Sequence, residues 1–319
     1  MNGTGTQADP FVPDNWEDFV TAIETTGAYI SLPISLIKTT DSYIKHGKLY
    51  FDAQGDRIES PVESDLSNYY ENDFKLDANS YAPSGISLYF KGVTIEGNGA
   101  SIINCYVPDE NYGLRFGGTS SKPINYLNNI NFLNLFSESD VSKGYMYCDT
   151  SRGIFTDNVQ FSGAVIRGAF CGANGIRRFK STTFSLTLGT NAIFIDGTLN
   201  TSQYYYQFCL FDFYGSPTNV FRVNSGNKFL NCKMTGKLTG TSGEIPIFPS
   251  DSTSTTCVMD IDVTEYTGVT FDYGGSNPYI INTDKIPSGT THTNMTGVTS
   301  EQMLDASYLR SVGFPCVGD

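Results

Sequence analysis

A short phrase recurs along this chain: an aromatic residue or Ile, any residue, Asn or Gly, then a small or apolar residue. It reads Ile102-Ile103-Asn104-Cys105, Phe132-Leu133-Asn134-Leu135, Phe161-Ser162-Gly163-Ala164 and Phe229-Leu230-Asn231-Cys232, with Leu in the third place at Phe184-Ser185-Leu186-Thr187 and in a degenerate copy at Phe208-Cys209-Leu210-Phe211. The anchors at 102, 132, 161, 184, 208 and 229 are 30, 29, 23, 24 and 21 residues apart. A self-similar unit of that length, built of short strands and turns, is the mark of a solenoid. Uneven spacing points to a parallel β-helix, in which turns vary in length while strands keep register.

Each unit carries the right local chemistry. Asn129-Ile130-Asn131-Phe132-Leu133 alternates so that Ile130 and Phe132 share a face. Turn formers flank the strands at Gly97-Asn98-Gly99, Asp157-Asn158, Asn174-Gly175 and Ser225-Gly226-Asn227. Equivalent residues in a coiled sheet recur about 4.8 Å apart. Phe then stacks on Phe, and Asn at a bend hydrogen-bonds the rungs above and below. Phe132, Phe161, Phe184 and Phe229 are therefore expected to form one internal stack, each buried ring contributing roughly 2–3 kcal/mol. An ordinary β-sandwich is the competing architecture.

Composition narrows the function classes. Charged residues make up 17% of the 319-residue chain, against about 25% in typical domains, while Gly, Phe and Tyr are abundant. The net charge of −13 argues against a nucleic-acid or anionic-membrane surface, which needs clustered Lys and Arg. The adjacent basic pair Arg177-Arg178 reads as decoration of one rung. Seven scattered cysteines and two histidines show no zinc-like spacing, so no metal and no cofactor is expected. Cys105, Cys209 and Cys232 lie in or beside the strand phrases and read as buried free thiols, suited to a reducing cytosol. Met1 is followed by Asn2-Gly3-Thr4-Gly5-Thr6 and not by a basic stretch and an apolar run, so neither a secretory signal nor membrane insertion is expected.

The fold class expected is all-β: a single-stranded right-handed parallel β-helix with a capping helix near each end. Residues 1–37 hold an amphipathic helix, started by Asp14 with Glu17, with Trp16, Phe19, Val20 and Ile23 on one face, Gly27 at its end and a first strand after it. Residues 38–85 form a polar, Tyr-rich insertion with Glu63, Asp65, Glu71, Asp73 and Asp77 close together, a solvated acidic face without calcium-loop spacing. Residues 86–285 carry the rungs, and 286–319 close the chain with a helix capped by Thr299 and Gln302 and striped by Met303, Leu304, Leu309 and Val312. A solenoid needs both open ends covered.

The chain's two ends carry a resemblance. Gly3-Thr4-Gly5-Thr6-Gln7-Ala8-Asp9-Pro10-Phe11-Val12, the helix after it, Ile30-Ser31-Leu32-Pro33, Val93-Thr94-Ile95-Glu96-Gly97-Asn98-Gly99 and the segment Gln302 to Pro315 resemble pectin-lyase-like β-helix proteins of tailed bacteriophages. Residues 38–85 and about 239–285 are not covered. The resemblance implies a structural virion protein of tail-spike, tail-appendage or head-fibre type, located on the virion. It further implies a homotrimer whose partners are capsid or tail proteins and host surface polysaccharide.

Candidate chemistry is sparse. Glycan-cleaving β-helices use paired carboxylates in a groove; Asp196 and Asp212 on successive rungs are the weak candidates, and Asp140, Asp149 and Asp157 a second group. His46 and His292 lie far apart in sequence, near opposite ends of the chain, so a Ser-His-Asp arrangement is not supported. Tyr145 and Tyr147, and Tyr204, Tyr205 and Tyr206, put at least one ring outward per strand, where aromatic faces stack on sugars or meet a neighbouring subunit. The leading expectation is a virion appendage that binds glycans without cleaving them. The alternatives are a phage polysaccharide depolymerase and a bacterial surface adhesin.

Overall fold

The computed structural model describes residues 1–33, 45–51, 57–58, 70–76, 88–103, 106–107, 113–137, 145–172, 175–197, 203–217, 220–223, 228–239, 253–266, 271–272, 279–293 and 295–313. Asn104, Cys105, Asp140, Cys316 and the acidic Glu63, Asp65 and Asp77 lie outside these. The chain is a parallel β-solenoid.

An eight-stranded parallel sheet forms its first face: Tyr29–Ser31, Thr94–Glu96, Ile124–Asn128, Gly153–Asp157, Ile176–Lys180, Gln203–Gln207, Lys228–Leu230 and Thr253–Thr255. A fourteen-stranded sheet holds most of the other parallel strands described, and Phe271–Asp272 pairs with His292–Thr293 in a separate two-stranded sheet. Early rungs break the larger sheet into separate strands such as Asn131–Ser137 and Met146–Cys148. Gln160–Cys171 and Thr183–Gly197 instead run uninterrupted and join a second face to a third.

One backbone device repeats at the corner between the first and second faces. Asn129, Asn158, Ser181, Phe208, Asn231 and Thr256 each follow a first-face strand directly, and each has φ between 51° and 54°, or 48° at Ser181. Asn adopts this left-handed conformation at low cost, which explains its recurrence. The ladder expected of Asn is present: Asn158 Nδ2 donates to Asn129 Oδ1 at 2.8 Å, and Asn129 Nδ2 to Glu96 Oε1 at 2.7 Å. A buried residue follows each corner: Ile130, Val159, Thr182, Cys209, Cys232 and Cys257. Cys209, Cys232 and Cys257 are free thiols in three successive rungs, as their strand-phrase positions suggested for the first two.

The interior is stacked aromatic rings, but the four expected in one column divide between two. On the second face Phe132, Phe161, Phe184 and Phe211 lie in register, with ring centroids 5.1, 5.5 and 5.5 Å apart, and Met234 continues the column. Phe229 belongs to the first face, where Phe179, Tyr206 and Phe229 stack at 5.0 and 4.9 Å. The phrase around Phe229 is out of frame because its Asn231 is the corner residue, whereas Asn134 lies inside a second-face strand. Phe208, expected as an anchor, is itself a corner residue and 47% exposed. Backbone proximity is tight elsewhere too: Gly163 has φ 149°, and a Cβ there would stand 2.0 Å from the Leu135 carbonyl oxygen.

Helices lie near both ends of the chain, and the C-terminal pair packs on the outer side of the last strands, on Val258 and Ile280, whose neighbours Cys257, Met259 and Ile281 face the core. α1, Trp16–Glu24, buries Phe19, Ala22 and Ile23, with Trp16 and Val20 packed against the core. Its cap is Asn15, whose Oδ1 accepts from the Asp18 amide at 2.9 Å, one residue later than the Asp14 start expected. At the other end α2, Ser300–Leu304, has the Thr299/Gln302 capping box, and α3, Ala306–Ser311, follows at once. Met303 is buried with Val258, Ile280 and Val298, and Tyr308, Leu309 and Val312 pack on them. Leu304 is 88% exposed, because the chain turns at Asp305 and a single long stripe never forms. Between the N-terminal cap and the rungs, Lys45–Phe51, Arg57–Ile58 and Tyr70–Leu76 make a small antiparallel sheet, with Glu71 and Asp73 on its last strand.

Candidate functional site

Because each first-face strand alternates and ends at a left-handed corner, the third residue before each of the five corners from Asn129 to Asn231 points outward. Those residues are Tyr126, Phe155, Arg178, Tyr205 and Lys228, in direct register from strand to strand. Three aromatic rings and two cations thus share one column on the outer surface. Tyr126 is 42% exposed and meets Phe155 edge-on at 5.4 Å and 82°. The Arg178 guanidinium lies over the Phe155 ring, 4.8 Å from its centroid. Beside the column runs a polar one, Asn128, Asp157, Lys180 and Gln207, in which Lys180 pairs with Asp157 at 2.8 Å. Together they line a shallow depression of about 660 Å³.

Of the expected glycan-binding tyrosines, Tyr205 alone belongs to this column. Tyr204 and Tyr206 flank it in sequence and therefore point inward: both are buried, with rings 6.4 Å apart and nearly parallel. Tyr145 is also interior, stacked on Phe170 at 5.5 Å. None of these three presents a ring to an external sugar. Tyr147 is half-buried on the third face, in register with Arg115.

Of the candidate carboxylates, Asp149, Asp157 and Asp212 have described side chains, and each is held by different partners. Asp212 sits on the second face, opposite Ser185, and accepts from Ser185 Oγ at 3.1 Å and Thr235 Oγ1 at 2.8 Å. Asp196 lies eleven residues beyond Ser185 on the same long strand, opposite Arg222 on the third face; its side chain is outside the described ones. Asp149 is engaged by Arg115 at 2.8 Å and by the Tyr89 hydroxyl at 3.1 Å. Burial, then that carboxylate, push the Tyr89 hydroxyl above its ordinary value. His292 lies opposite Phe271, and the side chain of His46 is outside the described ones. Among the described residues no three His, Cys, Asp or Glu side chains gather closely enough to hold a metal ion, and no helix is long and apolar enough to cross a membrane.

Tyr126, Phe155, Arg178 and Lys228 were not singled out from sequence as site residues. A usable signal was present: each stands three positions before Asn129, Asn158, Ser181 or Asn231. The phrase anchored on Phe obscured it, because it mixed corner residues with second-face positions. No known protein-family model matches this chain, and no curated protein sequence matches it.

Proposed function

We propose that this chain is an exposed fibre- or spike-like appendage of a bacteriophage virion that contacts host surface glycans through the outer side of its first face. The observation that carries the reading is the outward column of Tyr126, Phe155, Arg178, Tyr205 and Lys228 on a rigid solenoid wall. Sugar rings present C–H faces that stack on aromatic rings, and a sheet held by a packed core keeps those rings in place before the ligand arrives. The virion assignment rests on the resemblance of both chain ends to phage β-helix proteins, and with it come a homotrimer and an anchoring capsid or tail protein.

The test is binding of the purified protein to host surface polysaccharide, alongside Tyr126→Ala and Tyr205→Ala. Both rings lie outside the core, so the variants should keep the wild-type unfolding midpoint and lose about tenfold or more in affinity. Affinity unchanged in both variants removes this face from the reading. New reducing ends or unsaturated products in the same incubation would favour a depolymerase, and absence of the chain from purified particles would remove the virion assignment.

A further inference from the structure

The charges in the column define the ligand more narrowly, on the footing that the face contacts glycans. Among the described residues, Arg178 and Lys228 have no carboxylate partner, whereas Lys180 is neutralised by Asp157. The chain as a whole carries −13. A pair of uncompensated cations on a strongly acidic molecule gives local attraction for an anion inside a repulsive overall field. A dense polyanion such as a nucleic acid meets that field at every phosphate and gains from only two cations. A polymer with isolated negative groups suits the surface.

Spacing adds a second constraint. Tyr205 stands between Arg178 and Lys228 in the register, so the two cations hang from strands two rungs apart, roughly 10 Å along the axis. The units they accept are consequently not adjacent, and an uncharged ring has the Tyr205 face between them. Arginine offers a planar fork to a carboxylate, and its guanidinium is already ordered against Phe155.

We infer that the first face recognises an acidic polysaccharide whose carboxylated sugars are separated by neutral ones, with Arg178 and Lys228 holding carboxylates and Tyr205 stacking on the neutral ring between. The probes are hyaluronan, chondroitin and heparosan fragments, which alternate a uronate with a neutral amino sugar, each beside its carboxyl-reduced form. Binding is measured by titration calorimetry on wild type, Arg178→Gln, Lys228→Gln and the double variant, all checked for an unchanged unfolding midpoint.

The inference expects at least one acid form to bind, its reduced form to bind about tenfold more weakly, and the double variant to erase that difference. Raised salt should weaken the acid form only. Equal binding of acid and reduced forms overturns the inference and leaves the glycan-contact reading standing. Full affinity for the acid form in the double variant overturns it as well, as does tighter binding to duplex DNA. If wild type binds no acid form, the inference falls; the broader reading falls with it only if host polysaccharide also fails to bind.

Discussion

Arg177 donates to the Tyr204 hydroxyl at 2.8 Å inside the coil, where both side chains are shut off from solvent. Arg177 is the inward neighbour of the outward Arg178, and it stands in register with Tyr204 on the next rung. The Tyr204 hydroxyl in turn donates a hydrogen bond to the Gly172 carbonyl at 2.7 Å, and the guanidinium lies 4.9 Å from the Tyr204 ring centroid. The Arg177 Nε has no hydrogen-bond partner. No carboxylate among the described residues pairs with this cation, so the tyrosine is its main polar support.

That arrangement makes the two partners unequal. Tyr204→Phe leaves the buried cation without its best acceptor and should cost about 1.5–3 kcal/mol. Arg177→Met removes the charge and keeps the volume; such replacements of buried ions are often neutral or stabilising. The double variant should therefore be more stable than Tyr204→Phe alone. Urea unfolding of the three proteins checks the order, and Arg177→Met proving the worst of them would contradict it.

The second-face stack gives a different kind of test. Phe184 is sandwiched between Phe161 and Phe211, each at 5.5 Å and within 9° of parallel. Truncation to Ala opens a cavity in a packed column and should cost about 3–5 kcal/mol, whereas Phe184→Leu should cost markedly less. Phe184→Leu combined with Phe211→Leu should depart from additivity, because the rings touch. Additive losses in that pair, read from denaturant midpoints and slopes, would count against direct stacking.

How far the sequence reached is clear from the same residues. The solenoid, a helix near each end of the chain and the first three members of the second-face stack follow from the sequence pattern, because strands alternate with period two and like residues gain by stacking. Phe229 was placed in the wrong column, since Phe fills inward positions on both faces and periodicity alone does not say which face. The outward column was missed for a related reason. Its members are chemically mixed, and only the backbone frame set by the left-handed corner residues makes Tyr126 and Lys228 equivalent. Burial of Tyr204 and Tyr206 around an outward, half-buried Tyr205 follows from the same frame, once strand phase is known.

Phe208 is the corner residue that breaks the chemical rule. Its φ is 54° and its ring is 47% exposed, at a position other rungs fill with Asn, Ser or Thr. A left-handed backbone costs an ordinary residue roughly 1–2 kcal/mol, and Asn less. Little burial is lost on replacement, so Phe208→Asn should stabilise the fold by about 1 kcal/mol, seen as a higher unfolding midpoint. A lower midpoint would mean the ring contributes packing that its exposure does not suggest.

Acid should loosen the late rungs through Asp260. Burial raises this carboxyl, but hydrogen bonds from Lys285 and Asn282 and the Lys233 charge outweigh it, leaving it below its ordinary value of 3.8. Lys285 Nζ is 2.8 Å from Oδ1, Asn282 Nδ2 donates to the same oxygen at 2.8 Å, and Lys233 Nζ is 3.1 Å from Oδ2. A carboxyl depressed on folding binds fewer protons in the native state than in the unfolded one. Its stabilisation is thus complete above the unfolded value and disappears as pH falls through the lower native value. Wild type should exceed Asp260→Asn in stability at pH 7, and the gap should close below about pH 4, where the unfolded carboxyl protonates. Urea midpoints of the two proteins from pH 7 to pH 2 measure it, and a gap that stays constant across that range would show that Asp260 acts through packing and not through its charge.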